Sequence, residues 1–325
     1  MKTDIAAIFD ELRAYKRSRA LSFAISVGLL DVLREGLQSS ADLCTSCGLA
    51  ECWTRNLLGV LADVGLVAQK DDRWSLTEVG AAAARNEALR SFAIYHLHCY
   101  EGWLDLPTLC RSASTGGAFH RRAMAHREFA TAYLLAMESI AQASLSFLTA
   151  SCFISGEILD VGAGPATFSR RLPAQRTCRV TAVDLPPMVE AARQIIEPAA
   201  GFEWVGADIR EYRADHRFDS VFCSHVLEYV PAADLLDWLG RLRQCAKRGG
   251  VTAIVTFVQD PLAERDSALS IFELSTGVNG CELGRVYTVE EFRSALHQAG
   301  GRAITCRRIP SGPSYPECLF TCTWT

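Results

Sequence analysis

The chain offers no membrane span. Its uncharged run Ala20 to Leu30 falls far short of the roughly 20 apolar residues that cross a bilayer. It offers no secretion signal either, because Asp4, Asp10 and Glu11 sit among the apolar residues of the N-terminus. A surplus of positive charge is also missing. The net charge is −4, and a nucleic-acid surface needs clustered Lys and Arg to neutralise phosphate. Cysteine is not scarce, but its 13 residues are odd in number and scattered, so a disulfide framework is excluded and a reducing, cytoplasmic setting is expected. Internal repeats and low-complexity segments are absent. What remains is an ordinary globular composition, 49% hydrophobic and 22% charged over 325 residues, enough for one large or two medium domains.

Residues 1–150 read as almost wholly helical. Ile5, Ile8, Phe9, Leu12 and Tyr15 recur at helical spacing, and Leu21 to Leu33 continue the pattern. A short helix starts at Ser40-Ala-Asp-Leu with a Ser cap. A second, Thr54 to Val64, ends at Gly65, and Leu66-Val67 then pairs with Trp74-Ser-Leu-Thr across Asp71-Asp-Arg73. Helix, turn, helix and β-hairpin make a winged-helix layout. Its second helix offers Arg55 and Asn56 but no basic cluster, which favours packing and dimerisation over DNA binding. Cys44-x-x-Cys47 with Cys52 raises a zinc site. No second ligand pair follows at finger spacing, so buried or half-buried thiols are expected and no metal.

From Ile158 the rhythm changes to short apolar strands: Glu157–Val161, Arg179–Val183, Phe202–Val205, Ser220–Ser224, Val251–Val258, Arg302–Arg307 and Leu319–Trp324. Helices are expected between the first six. That alternation implies an α/β fold, a Rossmann-like doubly wound sheet that is mostly parallel. The last strand, reached through the short segment Pro310–Pro316, is expected to run antiparallel.

Ile158-Leu-Asp-Val-Gly-Ala-Gly-Pro-Ala-Thr-Phe-Ser169 carries the most information. A buried strand delivers Asp160, and Gly162 and Gly164 make a turn where a ligand can approach the backbone. A nicotinamide fingerprint wants a third glycine where this chain has Thr167. Asp160 also argues against a pyrophosphate and for a cationic ligand. Asp184, at the end of the second strand, is placed to accept two ribose hydroxyls. Asp208, after the third strand, can accept from an adenine amino group. The fourth strand ends at Ser224-His225 beside the same crevice, where α/β sheets bind ligands.

The order LDVGAG, VTAVDLPPMVEAAR, GAD, FDSVFCSHVLEYVP and AKRGGVTAIV resembles the class I S-adenosylmethionine (SAM)-dependent methyltransferases. Asp-Leu-Pro at 184–186, together with GLLDVL…LLGVLADVGLV…WSLTEVG, is similar to the bacterial and plant small-molecule O-methyltransferases of secondary metabolism. Those enzymes have an N-terminal winged-helix dimerisation domain. The match spans nearly the whole chain. It implies SAM as cofactor, with Gly162 and Gly164 along its methionine part, Asp184 on the ribose and Asp208 by the adenine. Asp160, Leu185, Ile209 and Ser224 complete the expected cofactor set. It also implies a homodimer through the N-terminal domain and a small-molecule acceptor between the N-terminal helices and the sheet. The expected domains are 1–105 for dimerisation, 106–150 as connecting helices and 151–325 for catalysis.

The resemblance departs at the base. The family places a His in V-L-H-D-W after the fourth strand, and here Val226-Leu-Glu228-Tyr229-Val230 puts Glu228 there, with His225 three residues earlier. Glu228 is therefore a candidate base for an oxygen, carbon or nitrogen acceptor, with His225 and Tyr229 as the other candidates. A solvated carboxylate at a helix start is the bland alternative for Glu228, and a cofactor-lining structural role is that for His225. Tyr95, His98 and Trp103 sit on one aromatic-rich helix that either clamps a flat substrate or packs in core and interface. Phe129, Tyr133 and Met137 lie at helical spacing. The run His120-Arg-Arg122 to His126-Arg127 reads as a solvated face. Phe272, Glu273 and Asn279 precede the capped helix start Tyr287-Thr-Val-Glu-Glu-Phe, and the resemblance places all three where the family contacts its acceptor. Two other readings stay open: a non-methylating reaction on the same SAM-binding scaffold, and a winged-helix regulator, which the acidic charge disfavours.

Overall fold

The computed structural model describes residues 5–112, 117–175, 177–197, 200–214, 217–259, 267–280, 283–310 and 315–325, apart from the side chains of residues 6, 118, 120, 124, 175, 267 and 268. Part of the Pro310–Pro316 connection and the His120 side chain therefore lie outside the described residues. The chain divides into two compact units, Met1–Glu101 and Gly102–Thr325.

The first unit opens on a long helix, Ile5–Ser26, whose Ile5, Leu12 and Tyr15 are exposed. Helices Leu29–Leu33, Ser40–Cys47 and Glu51–Asp63 follow. The cap of the Ser40 helix is Ser39, one residue earlier than expected. Ser39 accepts from the Asp42 amide while Asp42 accepts from the Ser39 backbone, a reciprocal box that satisfies two end amides. The hairpin pairs Val67–Lys70 with Arg73–Leu76. A two-residue strand, Gln38–Ser39, joins its far side opposite Arg73 and Trp74. That third strand is too short to show any alternation in sequence. Leu29, Leu43, Leu58 and Leu61 are wholly buried between these elements, each contributing about 1.5–3 kcal/mol.

In the second unit we number the strands of one large sheet β1 (Gly156–Val161), β2 (Cys178–Asp184), β3 (Phe202–Gly206), β4 (Phe218–Ser224), β5 (Ala246–Gln259), β6 (Gly301–Ile309) and β7 (Glu317–Trp324). Their order in space is β6-β7-β5-β4-β1-β2-β3, with the short strand Tyr287–Thr288 added beside β5. Pairs from β3 through β5 are parallel, and β7 lies antiparallel between β5 and β6. Strand order reverses at β1, so β2 and β4 flank it and a crevice opens at its carboxyl end. The apolar runs of β1 and β4 are buried on both faces, as central parallel strands are.

The helices that matter for the site are α1 (Arg127–Ser151), α2 (Pro186–Ile195), α3 (Leu235–Cys245), α4 (Ser267–Asn279) and α5 (Val289–Gln298). Pro in the first turn of α2 costs no hydrogen bond. The expected helix start at residue 288 is a capping box of Thr288 and Glu291. One expectation fails. Between β3 and β4 the described residues form turns and no helix, because the Asp208 carbonyl takes the Glu211 and Tyr212 amides and the short link ends there. No helix among the described residues is long and apolar enough to cross a membrane.

Candidate functional site

At the end of β1 the backbone folds onto the end of β2. The amides of Gly162 and Ala163 donate to the Val183 carbonyl at 2.9 and 3.1 Å. The Gly164 amide donates to Asp184 Oδ2 at 2.6 Å, and the Leu185 amide to Asp184 Oδ1 at 2.7 Å. Those two amides use two of the carboxylate's roughly four acceptor positions. Gly162 has φ +64, and a Cβ there would lie 2.4 Å from Val226 Cγ2. Only glycine combines that conformation with that approach, so the turn rests directly on the segment after β4. Gly164 has φ +52, and a Cβ there would meet nothing within 4 Å, so its backbone borders open space.

Asp160 lies beneath this turn, 2% exposed, and accepts from the Ser169 hydroxyl. Burial pushes its carboxyl up to about 7 and the nearby Asp184 charge adds to this, while the Ser169 bond opposes both. Asp208 is engaged by a neighbour: Arg210 Nε sits 3.0 Å from both of its oxygens and Nη2 lies 2.6 Å from Oδ2. A ligand amino group at Asp208 would share that carboxylate with the guanidinium or displace it. Ser224 and Leu185 are half-buried at the ends of β4 and β2, and Ile209 packs against the core below. Glycines that open the turn, an acidic group at each strand end and a buried carboxyl beneath form a donor and acceptor set that fits SAM.

The segment after β4 builds the second part of the site. His225 adopts φ +54, a left-handed conformation uncommon for a residue with a side chain, and its amide donates to the Val255 carbonyl at 2.9 Å. This bend aims the imidazole between two buried carboxylates. Nδ1 is 2.7 Å from Glu228 Oε1, and Nε2 is 3.6 Å from Glu317 Oε1. Glu228 sits in the 3₁₀ turn Leu227–Tyr229 with no side-chain exposure, so the solvated reading does not hold. The Thr256 hydroxyl donates to its other oxygen at 3.2 Å. Gly284 backs this turn so closely that a Cβ there would fall 1.9 Å from the Glu228 carbonyl oxygen. Glu317 is 2% exposed at the start of β7 and accepts from the Ser144 hydroxyl of α1 at 2.9 Å. Of the three, only the imidazole reaches solvent, with its side chain 33% exposed.

The charges follow from that packing. Burial pulls the His225 imidazole down, but the charge and hydrogen bond of Glu228 and the charge of Glu317 outweigh it, so its pKa is raised. Burial pushes Glu317 up, against the pull of His225 and Ser144. Aromatic rings adjoin the imidazole. Phe257 lies 4.5 Å from His225 and 5.2 Å from Phe272, Tyr315 packs on both phenylalanines, and Tyr229 is 5.8 Å from Phe272.

The other expected acceptor residues are dispersed. Phe129 is 1% exposed against Phe119, which also meets Tyr133 at 4.7 Å. Phe129 therefore belongs to the core behind Tyr133, and Met137 is half-buried further along α1. Asn279 is 9% exposed; its Nδ2 donates to Ser275, and its Oδ1 meets no partner among the described residues. Glu273 is committed to the Val286 amide. Tyr95 and His98 lie in the first unit, where Tyr95 packs on His96 at 5.1 Å, and Trp103 lies in the second. Among the described residues no group of His, Cys, Asp and Glu could hold a metal ion. Sequence reading missed Ser144, Arg210, Thr256 and Glu317. Only Glu317 left a signal, a charge opening an otherwise apolar strand.

Comparison with known proteins finds a family profile on each half of the chain. The profile of the O-methyltransferase dimerisation domain matches residues 9–86, and that of a methyltransferase domain matches residues 158–250. The N,N-dimethyltransferase OxyT of Streptomyces rimosus is 23% identical over 323 residues, covering 91% of this chain and 90% of that protein. Among solved structures, the mitomycin 7-O-methyltransferase MmcR aligns with a TM-score of 0.83 at 19% identity, over 98% of this chain and 97% of that one. Human N-acetylserotonin methyltransferase in complex with SAM aligns with a TM-score of 0.80 at 16% identity, over 99% of each chain. Residues 158–250 thus form a methyltransferase domain of the SAM-dependent kind, preceded at residues 9–86 by an O-methyltransferase-type dimerisation domain.

Proposed function

We propose that the chain methylates a small, flat metabolite, with His225 as the group that takes the acceptor's proton. One observation carries this: the glycine turn of the cofactor crevice rests on Val226, next to the only imidazole held between two buried carboxylates among the described residues. SAM supplies a methyl group on a sulfonium, open to in-line displacement. Asp184 would hold the ribose hydroxyls, Gly162 and Gly164 the methionine part above Asp160, and Asp208 the adenine edge. Leu185, Ile209 and Ser224 would line the crevice.

Glu228 has no exposed oxygen to offer an acceptor. It acts through His225, fixing Nδ1 and stabilising the imidazolium that forms once a proton arrives, and Glu317 supports the other edge of the ring. The rings of Tyr229 and Phe272 support an aromatic or conjugated acceptor, with Tyr133, Met137, Asn279 and Trp103 as further wall candidates. Relatives named for N,N-dimethylation and for 7-O-methylation support nitrogen and oxygen as acceptor atoms.

The domain plan is dimerisation over 1–105, connecting helices over 106–150 and catalysis over 151–325. The exposed apolar residues of the first helix and the profile match over 9–86 support a homodimer. The test is product analysis. Incubation with SAM and a panel of phenols, amines and activated carbons should release S-adenosylhomocysteine together with a product heavier by one methyl. Turnover of the acceptor with neither S-adenosylhomocysteine nor the mass gain would transfer the assignment to a non-methylating reaction.

A further inference from the structure

Glu138 on α1 belongs to no motif and takes no part in the chemistry above, yet its carboxylate gathers one limb of the cofactor turn. Oε1 accepts from Arg170 Nη2 at 2.6 Å, from Arg171 Nη2 at 3.1 Å and from Gln142 Nε2 at 2.7 Å. Oε2 accepts from the Thr167 hydroxyl. Both arginines bend back onto the same limb, Arg170 to the Pro165 carbonyl at 3.1 Å and Arg171 to that of Thr167. The glycine limb of the turn is tied to Asp184; the returning limb, residues 165–171, is tied to Glu138.

We propose that Glu138 is a positioning residue for cofactor binding, holding residues 165–171 in the form that receives the amino-acid half of SAM. The proposal rests on the assignment of the Gly162–Gly164 turn to that half. Two effects give Glu138 this role. Its charge-assisted bonds order the limb before ligand arrives, so less ordering is left for binding to supply. Its negative charge also neutralises one of two adjacent guanidiniums whose side chains are only 19% and 32% exposed. Without it, two unscreened positive charges would stand beside SAM, whose ammonium, carboxylate and sulfonium leave it net positive.

The two halves of the ligand provide the test. S-adenosylhomocysteine carries the amino-acid half, and 5′-methylthioadenosine lacks it while keeping the adenosine. Calorimetry on the full chain should show Glu138→Gln binding S-adenosylhomocysteine roughly tenfold more weakly and 5′-methylthioadenosine within about twofold of wild type. Thr167→Val, which deletes one contact and no charge, should show the same selectivity with a loss of roughly threefold. Equal weakening of both ligands in these variants would mean general damage to the fold, and unchanged binding of both would mean no role; either overturns the proposal. Asp184→Ala should weaken both ligands. If wild type binds neither, or Asp184→Ala alters neither, the cofactor assignment itself fails. If those controls behave and Glu138→Gln does not discriminate, only the role of Glu138 falls.

Discussion

The two parts of the site are built by different means. The glycine turn is made of backbone: the three successive positions Gly162, Ala163 and Gly164 after β1, folded onto the Val183 carbonyl and the Asp184 carboxylate at the end of β2. The acid–base cluster is made of side chains from α1, the turn after β4, β5 and β7, and its Ser144–Glu317 bond spans 173 residues of chain. Both parts bury a titratable group, with opposite results. Asp160, whose neighbour is a neutral hydroxyl, is pushed toward its uncharged form. His225, between two carboxylates, is pushed toward its cation despite burial. Burial decides the state of Asp160, and charged partners override burial at His225.

The sharpest way to break this comparison is to remove the base while sparing the turn. His225→Ala should lower turnover by about 10³-fold, and Glu228→Gln by about 10²-fold, with S-adenosylhomocysteine affinity near wild type. Intact turnover in Glu228→Gln would mean that the buried carboxylate does no work through the imidazole.

Asp160 offers the next largest effect. A carboxyl whose folded pKa lies above its unfolded value stabilises the fold below the unfolded pKa and loses that contribution as pH rises through the folded one. Wild-type stability should therefore fall between about pH 4 and about pH 7 from this group. Denaturation of Asp160→Asn should show its advantage over wild type growing by roughly 3 kcal/mol between those limits. A constant difference would show that Asp160 ionises freely in the folded protein.

Asp184 tests the turn alone. Asp184→Ala removes the acceptor of two backbone amides and, by assignment, of the ribose hydroxyls. Its S-adenosylhomocysteine affinity should drop by about 2 kcal/mol, roughly 30-fold, in calorimetry. The smallest effect is spectroscopic. The His225 ring should titrate above its ordinary value of 6.5 by NMR, and in Glu317→Gln its midpoint should move down while the nitrogen nearer Glu228 keeps its signature. With the neutral ring as the proposed base, a base-limited rate should rise with pH through that same raised midpoint. The stabilising charge pairing is full below 6.5 and is lost as pH rises through the raised midpoint.

The sequence alone determined the alternation of strands and helices, the parallel sheet with its antiparallel last strand, and the glycine turn after β1 with Asp160 and Asp184 beside it. These are set by local periodicity and by glycine's conformational freedom, which act over a few residues and leave a mark in the string. Tertiary structure alone decided that Glu228 is sealed under His225, that Glu317 and Ser144 complete the cluster, that Arg210 occupies Asp208, and that Phe129 serves the core. Those outcomes depend on which side chains meet across the sheet, and a carboxylate leaves the same letter in the sequence whether it faces water, a guanidinium or an imidazole.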